Sequence, residues 1–546
     1  TVFETSSIAL DEAKDQLTLT FATALPKGAM TVALTFVGCL NDKMAGFYRS
    51  MYKGTDGSQK VMATTQFEAT DARRSFPCWD EPAFKATFDV TMVVKDKSLT
   101  SLSNMPIKNT VDLGDEGMAF TYNRSPVMST YLLAFIIGEL EFISGETAAG
   151  TKVNVYCTPG KTSQCAFALD TAIKVLDFFT EYMGIGFPLP KCDMVGIPDF
   201  ASGAMENWGL VTYRETALFA NGDSSAAAKQ RVAYVVAHEL AHQWFGNLVT
   251  MEWWSDLWLN EGFATWAGTL AVDHVFPDWD TWTQFSQDDG SYALSTDALL
   301  SSHPIQVNIT DPAMIDQVFD ALSYSKGACM IRMLESHVGP DVFRLGLRNY
   351  LEKHQYNNTV TSDLWAAISS TAGYNVADVM DTWCKHVGFP VINVTGTTTD
   401  QVTISQARFV NVGSEIGEPH LWKVPLSALC SQDAPGRMGQ PLSAQSVFTD
   451  TPGGSWIWKV KLTLNTESTT TAAPGGSWMK LNAGQTSFVR VNYDAAGWSA
   501  LIDPIKNMKL PAVDRLGIAN DVFALAAAGL GSTTTALEMA QAFKHG

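Results

Sequence analysis

Charge, histidine and cysteine are all scarce in this chain. Of its 546 residues only 17% are Asp, Glu, Lys or Arg, nine are histidine and eight are cysteine. What charge there is leans one way, with 56 acidic residues against 37 Lys plus Arg and a formal net charge of −19. Coating a phosphate backbone takes a clustered positive surface, so nucleic-acid binding is disfavoured, and a substrate carrying positive charge suits the field better. Long apolar runs are also lacking: the best uncharged one, from Tyr131 to Gly138, ends at Glu139, well short of the ~18–20 residues that span a bilayer. The cysteines, at 39, 78, 157, 165, 192, 329, 384 and 430, form no C-x-x-C pair and read as buried thiols rather than disulfides. A cytoplasmic protein is therefore expected. Sequons at Asn123, Asn308, Asn357 and Asn393, and a first residue that is Thr rather than Met, leave a secreted or membrane-anchored form open.

What is present is ample apolar material, 46% of residues, in a chain long enough for roughly three or four domains at ~100–200 residues each. Apolar residues alternate at period two in Leu17, Leu19, Phe21, in Val32, Leu34, Phe36, and in Phe88, Val90, Met92, Val94, the mark of half-buried antiparallel strands. An N-terminal β domain over residues 1–163 is predicted. From Ala166 the period becomes helical, and a mostly helical domain is predicted over 164–388, with Ser325 as N-cap of a helix stopped by Gly339-Pro340. Alternation returns after Phe389-Pro390, notably in Val460, Leu462, Leu464 and in Val489, Val491, Tyr493, and predicts a small β-sandwich over 389–505. Two P-G-G-S-W stretches, at 452–456 and 474–478, read as turn chemistry rather than a repeat. Val513 to Ala528 and Thr535 to Phe543 read as two helices joined through Gly529 and Gly531. Two helices cannot bury a core, so residues 506–546 are expected to begin a larger helical domain.

Within the helical region His238-Glu239-Leu240-Ala241-His242 is an H-E-x-x-H motif inside the almost uncharged run Val232 to Val249. Residues four apart project from one helix face, so both imidazoles can reach one metal ion while Glu239 approaches a ligand water. Two nitrogens do not complete a catalytic site, which takes three protein ligands and a water. Glu261 is the candidate third ligand. It follows His242 after eighteen residues and opens the apolar stretch Gly262 to Val272, where a lone carboxylate is costly without a cation.

Further segments point the same way: Gly203-Ala204-Met205-Glu206-Asn207, Gln66-Phe67-Glu68, Phe76-Pro77-Cys78-Trp79-Asp80-Glu81-Pro82, and Tyr324 within Ser323-Tyr324-Ser325-Lys326-Gly327-Ala328. With these motifs in this order the chain resembles the gluzincin zinc aminopeptidases of the aminopeptidase N and puromycin-sensitive aminopeptidase type. The resemblance implies a multidomain α+β protein with an N-terminal antiparallel β domain, a thermolysin-like catalytic domain, a β-sandwich and the start of a C-terminal helical domain. It also implies that the beginning of the first domain and most of the last are missing.

By the same resemblance, one Zn²⁺ per chain is held by His238, His242 and Glu261. Glu239 is the general base and acid, and Tyr324 stabilises the oxyanion. Glu206 and Glu68 bind the free ammonium of a peptide substrate in an interdomain cleft, Gly203 and Ala204 let the peptide lie alongside as an added strand, and Gln66 and Met205 line the pocket of its first side chain. Peptides with a free N-terminus are the expected partners, with no nucleic acid. The bifunctional epoxide-hydrolysing branch related to leukotriene hydrolase resembles G-G-M-E-N with Gln where this chain has Glu68, so Ala204 and Glu68 favour the aminopeptidase. A non-catalytic binding protein on the same scaffold typically loses Glu239 or a ligand, and all four are present. Many relatives carry an acidic residue where this chain has Gly268; Asp256 or a backbone carbonyl is the expected substitute as partner of a ligand histidine.

Overall fold

A computed structural model describes residues 2–396, 401–411, 420–431, 447–450, 456–464, 466–472 and 477–545. Residues 452–455 and 474–476, and with them the turn reading of the two P-G-G-S-W stretches, lie outside the described residues. The chain divides into two compact units, one made of Thr1–Glu146, Gly150–Leu169 and Leu189–Val232, the other of Thr147–Ala149, Asp170–Pro188 and Ala233–Gly546.

The first unit is built on strands. Strands β1 (Gly46–Lys53) and β2 (Gln59–Gln66) pair antiparallel in a four-stranded sheet with Phe135–Gly138 and Thr100–Ser103. Alternation works here as the period predicts: Tyr48, Ser50 and Tyr52 turn inward on β1 while Arg49, Met51 and Lys53 face out. It fails at Val32, Leu34 and Phe36. Residues 29–40 form no strand, and Val32, Leu34 and Phe36 are exposed. A period-two segment becomes a strand only when a neighbour supplies backbone partners and a face to bury against, and among the described residues no strand pairs with this one. Likewise Phe88 and Val90 precede the strand, which begins at Thr91.

A five-stranded mixed sheet continues the unit, in the order Glu141–Glu146, Lys152–Cys157, β3 (Lys191–Ile197), β5 (Leu210–Arg214), β4 (Ala204–Met205). It runs across the expected boundary between residues 163 and 164. β3 has parallel neighbours on both sides and is buried at every position, the pattern of a central parallel strand. β4 is the short outer strand, bonded to β5 alone.

Helix α1 (Ala166–Met183) starts where the helical period starts, and α2 (Ala226–Ala241) carries the H-E-x-x-H motif. In the second unit α3 (Trp258–Val275) is buried nearly all round rather than along one stripe, as for a helix through the middle of a core. Its Trp266 indole donates to Glu335 Oε2 at 3.2 Å, on α4 (Gly327–Val338), and its Trp258 indole to Thr361 Oγ1 at 2.9 Å. α3 and α4 touch backbone to backbone: a Cβ on Gly262 would stand 2.9 Å from the carbonyl carbon of Gly327.

Two four-stranded sheets follow. One orders Ser468–Ala472, Gln401–Arg408, Pro390–Thr395 and Arg490–Tyr493; the other orders Val447–Asp450, Trp456–Leu464, Val424–Cys430 and Met479–Leu481. The chain then forms α5 (Ala512–Ala527) and α6 (Thr533–Ala542), reversing through Gly529 at φ +72°, a conformation that glycine adopts without strain. The architecture is multidomain α+β. Among the described residues no cysteine forms a disulfide, and no helix is long and apolar enough to cross a membrane.

Candidate active site

In the second unit, His238 and Glu239 lie in the last turns of α2, and His242 N bonds to His238 O at 3.2 Å, so the helical path carries on through the motif. Spacing of four therefore brings the two imidazoles together, with Nε2 atoms 3.1 Å apart. Glu261, in the first turn of α3, places Oε2 3.4 Å from each of them. All three are buried, at 8%, 1% and 2% exposure.

The donor set fits a zinc ion on its geometry. Donors bound tetrahedrally at ~2.1 Å stand ~3.4 Å from one another, close to the 3.1, 3.4 and 3.4 Å between these three atoms. Protonation fits as well. Burial pushes His238 below its ordinary value, against the opposing bond from Glu261, and so favours the neutral imidazole that ligates. Burial alone would raise Glu261, but the charge of His242 and bonds from both histidines hold it down at about 2.

His242 Nδ1 donates to the Phe245 carbonyl at 3.0 Å, leaving the Nε2 lone pair facing its neighbours. The substitute partner is thus a backbone carbonyl. Asp256 does not serve: its Oδ1 accepts from Thr361 Oγ1 and Gln306 Nε2, each at 2.6 Å, which ties it to the core instead. Gly268 packs against the backbone of His238, where a Cβ would come within 3.0 Å of its nitrogen, and His238 Nδ1 has no hydrogen-bond partner among the described residues. Glu239 is 6% exposed, and a carboxylate oxygen lies within 4.8 Å of a His242 ring nitrogen. That is the reach of a base acting on a water held by the ligands.

Tyr324 stacks on His238, with ring centroids 6.1 Å apart and planes 8° from parallel. Its setting corrects one expectation. Ser325 is not the N-cap of α4, because Leu322–Lys326 forms a π-helical turn that runs straight into it and Ser325 N is already bonded to Ala321 O at 3.0 Å. Ser325 Oγ instead donates to Asp289 Oδ1 at 2.8 Å. The predicted stop holds: α4 ends at Val338, before Gly339 at φ +95°.

In the first unit Glu68 follows β2 and Glu206 follows β4, and the two carboxylates have oxygens within 4.8 Å of each other. Like charges that close favour a cation between them. Gly203 and Ala204 lie at the outer strand of the mixed sheet, and nothing stands within 4 Å of where a Gly203 side chain would begin. Gln66 ends β2, and Met205 is 1% exposed.

Sequence reasoning missed the residues around Tyr324: Asp320, bonded to His303, and the carboxylates Asp289 and Asp297. A buried lysine directly after a serine and tyrosine was the available signal, since Lys326 in an apolar stretch needs an anion.

Two histidines four apart, a glutamate between them and a second buried glutamate from the next helix define a metallopeptidase-type centre. Comparison with known proteins agrees. Residues 167–383 match the Peptidase family M1 domain, residues 3–132 the Peptidase M1 N-terminal domain and residues 478–546 the ERAP1-like C-terminal domain. The chain is 46% identical over 539 residues to Aminopeptidase M1 of Arabidopsis thaliana, an alignment covering 98% of this chain and 60% of that protein. It is 42% identical over 539 residues to Puromycin-sensitive aminopeptidase of Caenorhabditis elegans, covering 97% and 54%, and 40% identical over 542 residues to Aminopeptidase 2 of Candida albicans, covering 98% and 56%. The chain belongs to peptidase family M1, a family of metallopeptidases. It spans 54–60% of the length of these three relatives.

Proposed function

We propose that this protein is a zinc aminopeptidase that removes the N-terminal residue from peptides, acting in the cytoplasm. The observation that carries the reading is the buried His238, His242 and Glu261 donor set with Glu239 beside it. A zinc ion held there supplies Lewis acidity and lowers the pKa of a bound water to ~7.

The chain's own residues do the rest. Glu239 takes the proton from the attacking water and passes it to the leaving amine. The Tyr324 phenol donates to the oxyanion formed at the former carbonyl, a role suited to a hydroxyl carried on a ring that stacks against His238. Glu68 and Glu206 receive the substrate ammonium through charge-assisted hydrogen bonds, and Gly203 and Ala204 offer an unpaired strand edge to the peptide backbone. Gln66 and Met205 line the pocket for the first side chain.

The test compares amino-acid arylamide hydrolysis by the zinc-loaded protein and by Glu239→Gln, with metal content measured on both. A loss of ~10³-fold or more at unchanged zinc content is expected. Equal rates refute the reading. N-acetylated peptides should be poor substrates; equal turnover of free and blocked peptides refutes the ammonium role.

A further inference from the structure

The buried ion pair between Lys326 and Asp297 has no part in the chemistry above, yet it stands two residues from Tyr324. Both side chains are 0% exposed, and Lys326 Nζ lies 2.7 Å from Asp297 Oδ2. Both members have further partners. Asp297 Oδ1 accepts from Ser302 Oγ at 2.6 Å and from Gly388 N at 3.0 Å, and Lys326 Nζ also reaches Gly388 O at 3.3 Å. Desolvating two charges offsets most of their attraction, so such a pair adds little net stability over an apolar packing. What it does supply is direction, because its members cannot shift without stranding a charge.

The segment it anchors needs direction. Leu322–Lys326 is a π-helical turn, with Lys326 N bonded to Ala321 O at 2.9 Å, five residues back. Such turns are rare, hold less favourable backbone geometry and persist where surrounding contacts impose them. Three carboxylates impose this one. Asp320 Oδ1 accepts from Leu322 N at 2.9 Å and Ser323 N at 3.2 Å at its start. Asp289, itself in a second π-helical turn, Ser286–Gly290, accepts from Ser325, and Asp297 holds Lys326. Tyr324 is the one residue of the turn that is not fully buried.

We propose that Lys326, paired with Asp297, is a positioning residue that sets the placement of the Tyr324 phenol for the reaction. The inference rests on the aminopeptidase reading. Replacing Lys326 by an uncharged side chain frees the turn to relax toward ordinary α-helix, which rotates Tyr324 relative to His238.

The test is a double-mutant cycle on the zinc-loaded full chain, combining Lys326→Met with Tyr324→Phe. Lys326→Met is made together with Asp297→Asn, so that no unpaired charge is left in the core. The paired change should lower kcat ~10–100-fold with KM within ~2-fold and zinc content unchanged. In the Tyr324→Phe background, where no phenol remains to misplace, the same change should cost less than ~2-fold. An equal loss in both backgrounds marks a merely structural role and overturns the inference, as does an unimpaired Tyr324→Phe or an unchanged kcat. If the paired variant does not fold, Ser325→Ala, which releases the neighbouring anchor to Asp289, enters the same cycle with the same criteria. Wild-type protein that fails to cleave arylamides refutes the aminopeptidase reading instead.

Discussion

Asp289 gives a prediction whose size and sign follow from its surroundings. Burial drives its carboxyl up to about 6 from an ordinary 3.8, and the nearby Asp288 adds to this while the bond from Ser325 opposes it. The native state therefore keeps this proton to higher pH than the unfolded chain does. Stability from this group is fully present below pH ~4 and is lost as pH rises through ~6. A displacement of about two units corresponds to at most ~3 kcal/mol, and because the residue retains some solvent contact, ~1–2 kcal/mol is the working figure. Asp289→Asn removes the ionisation while its amide oxygen can still accept from Ser325. The variant should match wild type near pH 4 and exceed it by ~1–2 kcal/mol at pH 7.5. Urea titrations at both pH values, followed by tryptophan fluorescence, measure this, and arylamide turnover at pH 7.5 should stay within ~2-fold. Parallel pH dependences, or a variant less stable than wild type at pH 7.5, would refute the reasoning.

Three further outcomes follow from the same contacts. Gly262→Ala puts a methyl 2.9 Å from the Gly327 carbonyl carbon, next in sequence to Glu261, and should destabilise the protein by ~1–3 kcal/mol with reduced zinc retention, read by urea titration and metal analysis. Asp256→Ala should cost ~2–4 kcal/mol by stranding the Thr361 and Gln306 donors but leave zinc stoichiometry unchanged; loss of metal would restore Asp256 as a partner of the site. Removing the metal with a chelator should abolish hydrolysis and lower the urea midpoint, and adding Zn²⁺ should reverse both.

The metal-type cluster was legible because its geometry is mostly local. A helix carries residues four apart on one face whatever surrounds it, so His238 and His242 had to converge. Glu261 was found through the cost of a carboxylate in an apolar run. Asp256 illustrates the limit: nothing near it in sequence tells that its acceptor is saturated by Thr361, 105 positions on.

The sequence by itself determined the helical period from Ala166, the reversal at Gly529 and the presence of a two-histidine, one-glutamate donor set. Tertiary structure decided the rest. It left Val32 to Phe36 without a strand, gave His242 a backbone carbonyl instead of Asp256, and wound Leu322–Lys326 as a π-helical turn rather than a capped helix start. The physical reason is range. Period and turn chemistry act over a few residues, whereas strand pairing, hydrogen-bond saturation and the anchoring of an irregular turn depend on partners that only the folded chain brings near.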